Sequence, residues 1–262
     1  MKIKQSLCYP MLKTEAVSLA AMFQAAAEVG YAAVETWFRG DDFAEVVALA
    51  KQHNLVMASI CGHQSLTDGL NQRSNHDRIE AELKASIDVA VQHAIPGLIC
   101  FSGNRHPQQS DADAMDAVVT GLRRVAPYAE KKGINLNMEL LNSKLDHPGY
   151  QNDHTSWGVA VCERVNSPRV KLLYDIYHMQ IMEGDVIRTL RENIRWIGHF
   201  HTAGNPGRND LDDTQELNYA GICRAIAETG YDLYVGHEFK PKGDPIAALK
   251  QAYATCKVGH NL

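Results

Sequence analysis

A short apolar run followed by a longer stretch of helical periodicity, repeated eight times, is what most restricts how this chain can fold. The apolar runs lie at Ile3–Cys8, Ala33–Thr36, Val56–Cys61, Gly97–Phe101, Asn135–Leu140, Val170–Asp175, Ile197–His201 and Leu233–Glu238. Helical spacing fills Glu15–Val29, Phe43–His53, Arg78–His93, Ala112–Lys132, Ser156–Val165, Gly184–Arg191, Tyr219–Glu228 and Pro245–Ala254. Strands separated by helices in this way are parallel and joined by right-handed crossovers. Eight such units in 262 residues predict a closed (β/α)8 TIM barrel rather than an open doubly wound sheet. No linker, repeat or low-complexity segment divides the chain, so residues 1–262 are expected to form one domain.

The connections point to one face of that barrel. Helix-to-strand turns are tight and carry helix-stop residues, as at Gly30-Tyr31, Gly133, Asn166-Ser167-Pro168 and Gly230-Tyr231. Strand-to-helix connections are longer and polar, notably Gly62–Asp77, Asn142–Thr155 and Thr202–Asn218. Long loops of this kind are most often functional. All three belong to the rim at the carboxyl ends of the strands, where barrel active sites sit.

Bulk chemistry removes several alternatives. With 26 Lys+Arg against 31 Asp+Glu the net charge is −5, and no basic run suggests a groove for phosphates, so no nucleic acid partner is expected. No stretch approaches the ~20 apolar residues of a membrane span. The Ala-rich N-terminal segment is interrupted by Pro10, Lys13 and Glu15 and reads as a helix rather than a leader. Six scattered cysteines with no Cys-x-x-Cys pair read as free thiols in a reducing compartment, which implies a cytoplasmic protein. The expected partner is a small-molecule substrate, with assembly into a homo-oligomer left open.

Strands five to eight each end in a residue able to bind a metal: Glu139 in NLNMEL, Asp175 in KLLYD, His201 in GHFH and Glu238 in VGHEF. A charged group ending an apolar strand is costly to desolvate unless it is paired or bound to a cation. Adjacent parallel strands lie ~4.8 Å apart, so four such ends can converge on one point. Three carboxylates and one imidazole suit Mn²⁺, Mg²⁺ or Co²⁺ better than a structural zinc. On the same rim, His178 in YDIYH, Arg208 in AGNPGRND, Glu35 in AAVET and His63 are the candidates for substrate contact. Trp37 and Phe38 could lid the site or simply pack. His106, His147, His154 and His199 receive no site assignment, since surface or supporting roles account for them.

The stretches YDIYHMQIMEGD, IGHFHTAGNPGR, ELNY and VGHEFKP together resemble the hydroxypyruvate isomerase group of the xylose isomerase-like sugar isomerase/epimerase superfamily. The resemblance is dense over residues 139–241 and diffuse before them. It implies that Glu139, Asp175, His201 and Glu238 are the metal ligands, that Glu139 and Glu238 are the acid/base pair, and that His178 and Arg208 contact substrate oxygens. One position departs from it: the best-known hydroxypyruvate isomerases carry Gln where His201 stands, whereas the ketose epimerase branch carries His.

The reaction expected is isomerisation of a small hydroxy-carbonyl compound, hydroxypyruvate to tartronate semialdehyde, through an enediolate with Glu139 and Glu238 as acid and base. A ketose 3-epimerase or a polyol dehydratase would use the same site. An endonuclease IV-like phosphodiesterase would enlist His63, His106 and His178 as further ligands, although the loop after strand seven lacks that family's Asp-x-His. A non-catalytic ligand sensor would not need both glutamates.

Overall fold

The computed structural model describes residues 3–258, so residues 1–2 and 259–262 of the expected domain span lie outside the described residues. The strands are β1 (Lys4–Cys8), β2 (Ala33–Glu35), β3 (Val56–Met57), β4 (Ser59–Cys61), β5 (Gly97–Cys100), β6 (Asn135–Glu139), β7 (Val170–Asp175), β8 (Ile197–Thr202) and β9 (Tyr234–His237). Every ladder is parallel, in the order β3-β2-β1-β9-β8-β7-β6-β5-β4. The two ends of this row are one expected strand interrupted at Ala58. Val56–Met57 pairs with β2, Ser59–Cys61 pairs with β5, and the row is thereby joined into a (β/α)8 barrel.

Period-two alternation divides each strand between two environments. Leu7, Val34, Leu98, Leu136, Leu172, Phe200 and Val235 are fully buried in the large apolar core with the helices. Each such side chain contributes about 1.5–3 kcal/mol of transfer free energy. The alternate positions point into the barrel, where Ser6, Glu35, Asn137 and His199 are buried. A second, smaller apolar cluster of Cys61, Ile99, Phe101, Leu141, Tyr150 and Leu173 occupies the carboxyl end of the barrel.

One irregularity sets up the site. The β7–β8 register slips by one residue between Leu172 and Leu173, so that Leu173 pairs with His199 and Asp175 with His201. Gly198 is the additional residue, and a Cβ there would stand 2.2 Å from Asn137 Oδ1. A bulge shifts side-chain parity by one. Both histidines are thereby turned to the same side as Asp175.

Helix ends follow local capping chemistry. Ser18 accepts Ala21 N–H and starts the first long helix at Leu19 rather than at Glu15. Where a single helix was expected over Gly184–Arg191, two are present, Ile176–Met182 and Val186–Asn193. The first of these is capped by Asp175, whose Oδ1 accepts His178 N–H at 3.1 Å. Seven residues are too few to display a helical period in sequence. No described helix is long and apolar enough to cross a membrane.

Candidate active site

Glu139 and Asp175 end β6 and β7, His201 lies in β8, and Glu238 follows β9 by one residue. All four side chains are buried, and their ligand atoms lie within 4.8 Å of one another. His201 Nδ1 stands 3.3 Å from Glu238 Oε2, 3.5 Å from Glu139 Oε1 and 4.0 Å from Asp175 Oδ2. That nitrogen is buried and has no hydrogen-bond partner. Adjacent donors around a small octahedral cation lie ~3 Å apart and opposed ones ~4.2 Å, from metal–oxygen distances of about 2.1 Å. The observed separations fall between these values, so the donor set fits one divalent cation that prefers oxygen with some nitrogen.

Electrostatics agree with a site assembled for positive charge. Burial alone would raise Glu238, but Arg208 and His201 hold it well below the ordinary carboxylate range. Burial alone would lower His201, yet Glu238 and Glu35 hold it well above the ordinary imidazole value. Burial pushes Asp175 up, against the opposing pull of Arg208.

Glu238 is held from two further sides. Trp37 Nε1 donates to its Oε1 at 2.6 Å, and the Arg208 guanidinium pairs with its Oε2. Arg208 reaches inward from a tight loop in which Gly204 and Asn209 exchange backbone hydrogen bonds. Its own backbone is in the left-handed region at φ 56°, a conformation that costs a non-glycine residue roughly 1–3 kcal/mol. Its guanidinium lies 5.8 Å from the Tyr177 ring centroid, and its Nε is buried without a partner.

A cavity of about 290 Å³ opens above the cluster. Glu139, Glu238, Arg208 and His147 supply its polar wall, and Trp37, Phe38, Leu66, Ile99, Phe101 and Leu141 much of the rest. The loop after β6 is tied back onto the barrel: Tyr150 OH accepts Ser102 N–H and donates to Glu139 O, both at 3.1 Å. Arg105 pairs with Asp153 of the same loop at 2.9 Å.

Of the four residues expected to touch substrate, Arg208 lines this cavity. His178 is wholly buried and outside the wall, with Nε2 3.7 Å from Asp175 Oδ2. Its tautomer can be read from its neighbours. Asn142 Oδ1 accepts the N–H groups of Leu145 and Asp146, so its amide nitrogen is the atom 2.6 Å from His178 Nδ1. His178 therefore carries its proton on Nε2, directed at the cluster, where that atom has no partner. Burial, with Arg208 adding, holds His178 well below its ordinary value.

Glu35 and His63 are turned to other partners. Glu35 lies inside the barrel, hydrogen-bonded to His199 and His201. His63 Nε2 accepts Phe101 N–H at 2.9 Å, and burial lowers its pKa to about 4, so it is a neutral tie between neighbouring strands. Sequence reasoning missed His147, whose Nε2 is buried without a partner at the cavity, and the hydrogen bond made by Trp37. His106 is exposed, and neither it nor His63 nor His178 joins a metal-binding group among the described residues, which leaves the multi-zinc phosphodiesterase arrangement without its extra ligands.

Comparisons with known proteins agree with this architecture. A family model described as a xylose isomerase-like TIM barrel matches residues 23–257. A Danio rerio protein named "Putative hydroxypyruvate isomerase" is 30% identical over 252 residues, covering 91% of this chain and 90% of its own. The 2-oxo-tetronate isomerase of Cupriavidus necator is 34% identical over 180 residues, 65% of this chain and 66% of its own. Among solved structures, a family 2 AP endonuclease from Brucella melitensis superposes with a TM-score of 0.83 at 25% identity, covering 95% of this chain and 97% of that one. The chain belongs to the xylose isomerase-like TIM-barrel family and, within it, to the hydroxypyruvate isomerase group.

Proposed function

We propose that the chain, acting as a single-domain barrel, is a divalent-cation-dependent isomerase of a short hydroxy-2-oxo acid, with hydroxypyruvate or the four-carbon 2-oxo-tetronate as substrate. One observation carries the reading: Glu139 and Glu238 line the same cavity and face one histidine nitrogen at 3.5 and 3.3 Å. Two carboxylates so placed can remove a proton beside a carbonyl and return it at the neighbouring carbon. The names of the relatives support the reaction class.

Glu139, Asp175, His201 and Glu238 would hold the cation, Mn²⁺, Mg²⁺ or Co²⁺, and when bound it would polarise the hydroxyl and carbonyl oxygens of the substrate. The remaining work falls to the protein. Trp37 and Arg208 fix the Glu238 carboxylate from opposite oxygens. His178 directs its Nε2–H toward the ligand cluster, 3.7 Å from Asp175 Oδ2. The apolar wall keeps out water that would exchange with the transferred proton. Arg208 Nε and His147 Nε2 are buried nitrogens without partners beside the cavity. A substrate carboxylate would satisfy both, with His147 as its Nε2–H tautomer, which favours an acid over a neutral sugar. Six buried free thiols suit a reducing cytoplasm.

A ketose 3-epimerase is the second reading, favoured by His201 at the position where the epimerase branch carries His. The test is turnover of hydroxypyruvate, 2-oxo-tetronate and a set of ketoses by wild type, Glu139→Gln and Glu238→Gln. Loss of about 10²–10⁴ in kcat in both folded variants is expected. Full activity in either one rejects the acid/base pair.

A further inference from the structure

Glu35 ends β2, yet its carboxylate lies against β8, three strands away, with β1 and β9 between. Its Oε2 is 2.8 Å from His199 Nε2 and 3.3 Å from His201 Nε2, and all three side chains are buried. The path is open because position 236 is glycine. A Cβ there would stand 2.0 Å from Glu35 Oε1 and 2.9 Å from His201 Cδ2. The barrel wall thus has a notch at the place where the carboxylate passes beneath the histidine.

We propose that Glu35, steadied by His199 and admitted by Gly236, is a positioning residue that fixes both the ring orientation and the tautomer of His201. A neutral imidazole has one N–H and one lone pair. With Nε2–H donated to Glu35, the lone pair falls on Nδ1, the atom facing Glu139, Asp175 and Glu238. The opposite tautomer would set a lone pair against the Glu35 carboxylate and a proton toward the cation. His199 donates to the same oxygen and keeps the carboxylate from rotating away. A histidine ligand that donates its second N–H to a carboxylate is oriented and made more basic. The same three residues also form a candidate cation group of their own. However, the His201 nitrogen in that group is the one that must give its proton to Glu35.

The proposal rests on the cation reading of the Glu139–Asp175–His201–Glu238 cluster, and its test separates the two. Mn²⁺ affinity and stoichiometry are measured by calorimetry on wild type, Glu35→Ala and Glu35→Gln. Wild type should bind one ion, and Glu35→Ala should bind it about 10- to 100-fold more weakly. Glu35→Gln should recover most of the loss, because an amide oxygen can still accept both N–H groups. At saturating Mn²⁺, kcat should change less than the Mn²⁺ concentration needed for half-activity. Independently of any variant, long-range ¹H–¹⁵N spectra of Mg²⁺-loaded wild type should show His201 as the Nε2–H tautomer. A folded Glu35→Ala with wild-type affinity, a second ion lost with Glu35, or an Nδ1–H His201 overturns the positioning role. Wild type that binds no Mn²⁺ overturns the cation reading and this proposal with it.

Discussion

Trp37 Nε1 donates a hydrogen bond to Glu238 Oε1 at 2.6 Å, so a residue that walls the cavity also fixes the carboxylate at its base. A hydrogen bond to a charged group contributes about 1.5–3 kcal/mol. Trp37→Phe preserves an aromatic wall and removes only the donor. It should lower kcat/KM by roughly 10- to 100-fold with little change in Tm. An unchanged kcat/KM would show that Arg208 and His201 hold Glu238 without the Trp37 donor.

Cation binding should stabilise the fold and release protons. An ion at 100 times its Kd adds about 2.7 kcal/mol, which for a chain of this size is roughly 5–10 °C in Tm. His201 and Asp175 both lie above their ordinary values without the ion, and their donor atoms must be free of protons to bind it. Affinity should therefore rise with pH. Calorimetry in two buffers of different ionisation enthalpy measures the proton release, and identical heats in both would contradict it.

His63 gives a pH dependence away from the site. Burial sets its folded pKa at about 4, below the ordinary 6.5 of the unfolded chain. The unfolded state binds more protons between these values, so this contribution is complete above pH 6.5 and is lost as pH falls toward 4. At pH 5 the loss from this one residue is about 2 kcal/mol. His237 is lowered to about 3 by burial and adds to the same slope. Urea unfolding at pH 7 and pH 5 should therefore show a smaller difference in His63→Gln than in wild type. Equal differences would mean that His63 does not titrate there.

His147 should govern recognition of the acid group. His147→Phe keeps a ring in the wall and removes the unpartnered Nε2. KM for hydroxypyruvate should rise about tenfold, equivalent to ~1.4 kcal/mol, while KM for any neutral ketose turned over stays within twofold. Equal effects on both substrate classes would assign His147 to packing alone.

Much of this is legible in the amino-acid sequence alone. A carboxylate or imidazole ending an apolar strand carries a desolvation cost that demands a partner, and four consecutive strand ends shared that property. The alternation of strands and helices gave the barrel for the same kind of reason, since apolar period reports burial directly. What escaped notice depends on closure. Glu35 looks like a rim group along its own strand, and only the barrel's curvature and the gap at Gly236 bring it beneath His201. His63 finds its partner in the backbone of the next strand, at Phe101, which no side-chain pattern announces. The break at Ala58 is likewise invisible in an unbroken apolar run, because each half satisfies a different neighbour.

The most direct test of the isomerase assignment is an NMR time course in D₂O with Mn²⁺-activated enzyme, quenched and freed of the ion before acquisition. Hydroxypyruvate and 2-oxo-tetronate are the substrates, with ketoses as controls. Conversion of at least one acid to its isomer, hydroxypyruvate giving tartronate semialdehyde, is the predicted result, and the reaction should stop in Glu238→Gln. Exchange at carbon 3 of a ketose with both acids untouched would contradict it and make the protein an epimerase.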